Sequence, residues 1–148
     1  MKVVLFHPQI PGNCGNIVRT CAVTGSGLIL VRPLGFSISN RWLKRAGLDY
    51  WLGVDVEVAD SLEAALNSCK GTAYFLSSKV KKRYSDVQYG PDDWLIFGSE
   101  TTGLPGELSE SYPDQFLTIP MQPGQRCLNL ATSVGIVVYE AWRQRSFC

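Results

Sequence analysis

The chain has 148 residues, 45% hydrophobic and 18% charged, a net charge of +1, five cysteines and one histidine. That is enough to bury about 68–70% of the unfolded surface around one core without staples, and too apolar for a disordered or fibrous protein. Scattered cysteines without a C-x-x-C pair argue against a zinc site, and no apolar run reaches membrane-spanning length, so reduced thiols in the cytoplasm are expected.

Lys2 to Phe6 is a short apolar run typical of a buried parallel strand, with no signal peptide before it. His7 to Gly15 is a Pro- and Gly-dense loop, after which Asn16 opens a helix that Gly25 stops behind Thr24. Leu28 to Val31 is a second strand ended by Pro33, and Ser39 caps a basic helix from Arg41 to Leu48. Val54 to Val58 alternates apolar and acidic residues as a half-exposed strand does. Asp60 or Ser61 then caps a short helix reaching Cys69.

Ala73 to Leu76 is the next strand, followed by a basic loop from Ser77 to Arg83. Trp94 to Phe97 is another, running into Gly98 to Gly103. Pro105 to Tyr112 reads as a short helix and Phe116 to Ile119 as the last strand. Pro123 and Gly124 force a turn, and Asn129 caps a long helix from Ala131 to Arg145. Leu130, Val134, Val137, Val138, Ala141 and Trp142 form an apolar stripe on it, widened by Ile136 and Tyr139. A helix apolar over most of its circumference is covered on more than one side. The second cover is either the rest of the core or another copy of the protein, and the pattern does not choose.

Strand and helix alternate throughout, which makes residues 1–148 one α/β domain with a mostly parallel sheet and helices on both faces. Ligands of such sheets sit beyond the carboxyl ends of the strands. Three Gly/Pro-rich loops begin there: His7 to Gly15, Gly98 to Gly106 and Pro120 to Leu128. None has the spacing of a dinucleotide or P-loop fingerprint. His7 alone would have to serve any serine or cysteine nucleophile, and no close carboxylate pair suggests glycoside hydrolysis.

Charge is unevenly spread. Lys2, Arg19, Arg32, Arg41, Lys44 and Arg45 are the only charged residues among the first 48, and a second basic run holds Lys79, Lys81, Lys82 and Arg83. Such asymmetry can form one positive face for nucleic acid, although a single run more often reads as solvated surface. Asn16 and Arg19 share a helix face, and Glu100 sits in a glycine-flanked loop. Taken singly, these three read as a helix cap, a surface cation and a solvated turn.

Taken together the motifs resemble a known set. Pro11-Gly-Asn-Cys-Gly-Asn-Ile-Val-Arg-Thr-Cys21, Arg45-Ala-Gly-Leu-Asp-Tyr50, Phe97-Gly-Ser-Glu-Thr-Thr-Gly-Leu-Pro105 and Arg126-Cys-Leu-Asn-Leu130 followed by Tyr139-Glu-Ala-Trp142 are similar to those of the SPOUT RNA methyltransferases. Within that group they match the minimal TrmL (YibK-like) type. The resemblance implies a sheet whose carboxyl-terminal part is threaded into a trefoil knot, and a homodimer formed through the C-terminal helix. It implies S-adenosylmethionine bound in the knot's loops, S-adenosylhomocysteine as product, and no metal. The implied reaction methylates the ribose 2′-oxygen of the wobble nucleotide, a cytidine or uridine at position 34 in the anticodon loop of tRNA.

Carried over position by position, the resemblance places Leu76, Gly98, Ile119, Cys127 and Leu128 in the cofactor pocket, with Gly98 permitting close approach. In related enzymes the first-motif arginine, here Arg19, is often assigned as the base. Since a guanidinium ordinarily titrates at roughly 12.5–13.8, Arg19 is expected instead to bind a phosphate and stabilise the developing alkoxide, with Asn16 orienting it. Glu100 organises the site and Asn129 fixes the third loop. Arg41, Lys44, Arg45 and the run Lys79, Lys81, Lys82 and Arg83 become candidates for the tRNA backbone. Two positions depart from the pattern: Cys127 stands where serine is common, and Thr102 where a basic residue is frequent. The competing readings are a non-catalytic RNA-binding protein of the same fold and a 2′-O-methyltransferase of another RNA site.

Overall fold

The computed structural model describes residues 1–37 and 53–148. The Ser39 cap, the basic helix and its Arg41, Lys44 and Arg45 lie outside the described residues. Among the described residues six strands form one sheet: β1 (Lys2–Phe6), β2 (Gly27–Val31), β3 (Val56–Ala59), β4 (Ala73–Leu76), β5 (Trp94–Phe97) and β6 (Phe116–Leu117). Their order is β3-β2-β1-β5-β4-β6 and every pairing is parallel. The described helices are α1 (Pro11–Thr24), α2 (Leu62–Leu66), α3 (Glu107–Ser111) and α4 (Leu130–Gln144), with a 3₁₀ turn at Pro113–Gln115.

Register follows from burial on both faces. Val3 lies opposite Leu28 and Leu95, and Val4 opposite Ile29 and Ile96. Because successive side chains alternate, Val3, Leu5, Leu30 and Phe97 meet Ile17 and Val18 of α1 and Val134 and Val138 of α4. Val4, Ile29, Phe75 and Ile96 meet Leu62 and Ala65 of α2 on the other face. Each buried aliphatic side chain of this kind contributes about 1.5–3 kcal/mol, so the central strands form a rigid platform.

Helix ends show where local reading succeeds and fails. The Ser61 hydroxyl caps α2 by accepting from the Ala64 amide, but the helix stops at Leu66, short of Cys69. Asn129 caps α4 as expected, accepting from Ala131 N and Thr132 N. Helix α1 starts at Pro11, five residues before Asn16, which is therefore no cap but an exposed residue in the second turn. Proline suits a first helical position because the amide it lacks has no intrahelical partner there. Gly25 closes the helix in the left-handed conformation at φ 64°.

The end of the sheet is unusual. Leu117 O accepts from Ser77 N beside β4, and one residue later Thr118 N donates to Lys82 O while Thr118 O accepts from Tyr84 N. Residues 116–118 thus lie between β4 and the 82–84 segment, two parts of one continuous excursion. Gln144 of α4 fastens the same excursion, donating to Val87 O and accepting from Tyr89 N.

Candidate active site

Loops leaving β1, β4 and β5 meet the segment before α4 around a cleft of ≈ 520 Å³. That is within the roughly 300–1,000 Å³ usual for small-molecule sites. Leu76, Gly98, Ile119, Cys127 and Leu128 all line it, together with Glu100 and Asn129. Seven positions drawn from separated stretches of sequence therefore share one cavity.

A chain of hydrogen bonds holds those stretches together. The Glu100 carboxylate accepts from Gln9 N at 2.8 Å, Ile10 N at 3.1 Å and Asn13 Nδ2 at 3.0 Å. Asn13 Oδ1 in turn accepts from Asn129 Nδ2 at 2.9 Å. Asn129 Oδ1 spends its lone pairs on the first amides of α4. Glu100 thereby caps α1 from a loop 90 residues away, where Ile10 has no side chain to do so, and its negative charge suits a helix amino terminus. With three donors on two oxygens, Glu100 is built to position its neighbours.

Asn13 escaped the sequence reading. Pro-Gly-Asn reads as loop, yet Asn13 lies in the first turn of α1 with only 6% exposure and joins Glu100 to Asn129. The signal was an amide side chain inside a predicted pocket loop. Buried with it, the Cys14 thiol is pushed up to about 12 by desolvation, with Glu100 acting in the same direction.

Gly98 has a reason within the protein itself. A Cβ there would fall on the Gly103 carbonyl carbon and the Leu104 amide of its own loop. That loop is tight: Ser99 and Gly103 exchange amide–carbonyl bonds of 3.2 and 2.9 Å, and Gly103 takes φ 69°. Gly98 is therefore required by the hairpin that aims Glu100 at α1.

Other expected residues lie elsewhere. Asn16 and Arg19 are exposed on α1 and do not line the cleft. Lys79 does line it, whereas Lys81, Lys82 and Arg83 continue along an exposed loop, where Lys82 Nζ donates to Asp114 O at 2.8 Å. Cys127 Sγ, at 3.5 Å from Ser78 Oγ, spans from the third loop to the end of β4. Among the described residues no three histidine, cysteine or carboxylate groups converge as metal ligands, and no helix is long and apolar enough to cross a membrane.

The SpoU rRNA Methylase family model matches residues 1–139. The chain belongs to the SpoU methylase family. Among its relatives, the tRNA (cytidine(34)-2'-O)-methyltransferase of Methylovorus glucosotrophus is 44% identical over 147 residues, 98% of this chain and 96% of that protein. A solved structure addressing the 2-OH methylation of C/U34 on tRNA superposes with TM-score 0.92 at 41% identity, covering 98% of this chain and 95% of the other. The AdoMet-bound rRNA methyltransferase of Sinorhizobium meliloti superposes with TM-score 0.85 at 26% identity, over 96% of this chain and 55% of that one. The SPOUT resemblance of the motifs and the α/β parallel sheet are both borne out in this SpoU methylase.

Proposed function

We propose that the protein transfers a methyl group from S-adenosylmethionine to the ribose 2′-hydroxyl of the wobble nucleotide, a cytidine or uridine at position 34 of tRNA. The observation that carries this reading is the Glu100–Asn13–Asn129 chain, which clamps three motif loops around one cleft. The relative sharing 44% identity is a tRNA (cytidine(34)-2'-O)-methyltransferase of nearly the same length.

The cleft fits the donor. Leu76, Ile119 and Leu128 offer apolar walls for a nucleoside, while Ser77, Ser133 and the chain's amides offer polar partners for its edge and tail. When bound, the donor supplies an electrophilic methyl group on a sulfonium, and the reaction needs no metal. The protein's part is to hold the 2′-oxygen in line and ease loss of its proton. Arg19 binds a substrate phosphate and stabilises the developing alkoxide, with Asn16 orienting it. Lys81, Lys82 and Arg83 follow the tRNA backbone on either side of the anticodon loop.

The site is completed in a homodimer. Arg19 shares an exposed face of α1 with Val23, one turn on and 51% exposed, and α4, on the same side of the sheet, exposes Tyr139 at 47%. Phe147, just past α4, is 55% exposed. A second copy seated on this apolar face through α4 would bring Arg19 of one protomer to the cleft of its partner. Passage of residues 116–118 between β4 and the 82–84 segment supports a trefoil knot in this part of the chain. The cytoplasm, where tRNA is modified, is its place of work.

Incubation of the purified protein with methyl-labelled S-adenosylmethionine and total tRNA, followed by mapping of the modified nucleotide, tests the reading. Label confined to the 2′-oxygen of nucleotide 34 supports it. Firm tRNA binding without incorporation would instead mark a non-catalytic RNA-binding protein, and label elsewhere a methyltransferase of another site.

A further inference from the structure

The cleft wall carries two charged residues among those described, Glu100 and Lys79. Glu100 is committed to Gln9, Ile10 and Asn13. Lys79 has no ion-pair partner among the described residues, and its exposed side chain stands at the rim. Its backbone is fixed: Ser77 N donates to Leu117 O at 2.9 Å, and Lys79 N donates to Ser77 Oγ at 3.2 Å. The neighbouring Ser78 is the residue that Cys127 reaches from the opposite loop. Lys79 therefore belongs to the wall of the cavity, unlike Lys82, which is anchored away from it on Asp114.

A cleft with one unpaired cation at its mouth suits a ligand with an apolar body and an anionic end. We infer that Lys79 holds the α-carboxylate of the methyl donor's amino-acid tail, and so sets affinity and orientation for the cofactor instead of gripping tRNA. This rests on the reading that the cleft takes S-adenosylmethionine. The ammonium is a point charge on a flexible stem, suited to a carboxylate at a solvent-open rim. An exposed pair of this kind contributes up to about fivefold in affinity.

Calorimetric titration of wild type, Lys79→Gln and Lys79→Arg with S-adenosylhomocysteine and with 5′-methylthioadenosine, which lacks the tail, isolates the contact. Lys79→Gln is expected to weaken S-adenosylhomocysteine about fivefold, leave 5′-methylthioadenosine unchanged and leave tRNA retention on filters unchanged, with Lys79→Arg restoring most of the loss. Unaltered S-adenosylhomocysteine affinity with weakened tRNA binding would overturn the inference and make Lys79 a phosphate contact. Equal loss for both nucleosides would overturn it as well. Failure of the wild type to bind either nucleoside would bring down the cofactor reading itself, and the inference with it.

Discussion

Asn13 and Asn129, 116 residues apart, are joined side chain to side chain by a 2.9 Å hydrogen bond. Through it the start of α1 and the start of α4 are held in register, and Glu100 extends the link to the loop after β5. The cleft is thus shaped by a polar chain whose members come from three of the motifs.

Breaking that chain at its centre should show in both stability and binding. Asn13→Ala removes a buried side chain and leaves the exposed Asn129 amide without its acceptor and the half-buried Glu100 short of a donor. A hydrogen bond contributes about 0.5–1.5 kcal/mol net, so the urea midpoint should fall and S-adenosylhomocysteine affinity should drop with it. Asn13→Asp keeps the acceptor for Asn129 but sets a second carboxylate against Glu100, and its stability deficit should shrink in acid as the introduced carboxyl takes up a proton. Calorimetry and urea titration across pH check both variants. A wild-type midpoint for Asn13→Ala would remove Asn13 from its pivotal position.

Arg19 is expected to act across a dimer, and mixed dimers read this directly. Gly98→Ala cannot form the Ser99–Gly103 hairpin without displacing its backbone, so that protomer loses its own cleft while keeping Arg19. An Arg19→Ala protomer keeps its cleft and lacks the cation. Each variant alone should be inactive. Random re-pairing of equal amounts should restore about a quarter of wild-type turnover, because half the dimers then hold one complete site. No recovery after verified subunit exchange would place Arg19 at the cleft of its own chain.

The thiols provide a map of the cleft. Cys14 and Cys21 are buried, and desolvation pushes both up to about 12, so neither offers thiolate near neutral pH. Cys127 and Cys148 are exposed. Brief alkylation at pH 8 should modify Cys127 and Cys148 and spare Cys14 and Cys21 until the protein is unfolded. Saturating S-adenosylhomocysteine should slow modification at Cys127 and leave Cys148 unchanged, as read by peptide mass spectrometry. Equal rates at Cys127 with and without the nucleoside would separate that thiol from the cofactor.

Acid stability should depend on Glu140. Arg143 donates to both its oxygens and Gln144 to one, and these bonds hold its carboxyl at about 2, below the ordinary 4.5. A carboxyl with a lowered folded-state value stabilises fully above its unfolded value, and that contribution disappears as pH falls from about 4.5 toward 2. Thermal scans should therefore show wild type losing stability over this window and Glu140→Gln losing less. Gln144 also holds the 87–89 segment, so the loss should begin around the end of α4. Parallel pH profiles for the two proteins would contradict this.

Much of the sheet was legible because buried parallel strands are continuous apolar runs, and β1, β4 and β5 keep the bounds their sequences suggested. The Asn129 cap was legible too, since its partners are the next residues along the chain. The start of α1 was not, because its cap is Glu100, which no local window contains. Asn13 was hidden for the same reason, as its two partners lie 87 and 116 residues away. The last strand was expected to reach Ile119, but the ladder with β4 ends at Leu117, where Thr118 turns its backbone to residues 82 and 84. Local propensity specifies elements; the bonds that join the first turn of α1 to the loop after β5 and to the start of α4 are long-range.

In the proposed transfer the acceptor is the 2′-hydroxyl of one nucleotide. Its most direct test is a pair of otherwise identical tRNAs, one carrying a single 2′-deoxy substitution at position 34, offered with labelled S-adenosylmethionine. One methyl per tRNA is expected for the all-ribose substrate and none for the substituted one, with both competing equally for binding. Equal incorporation into the two would show that the methyl goes elsewhere.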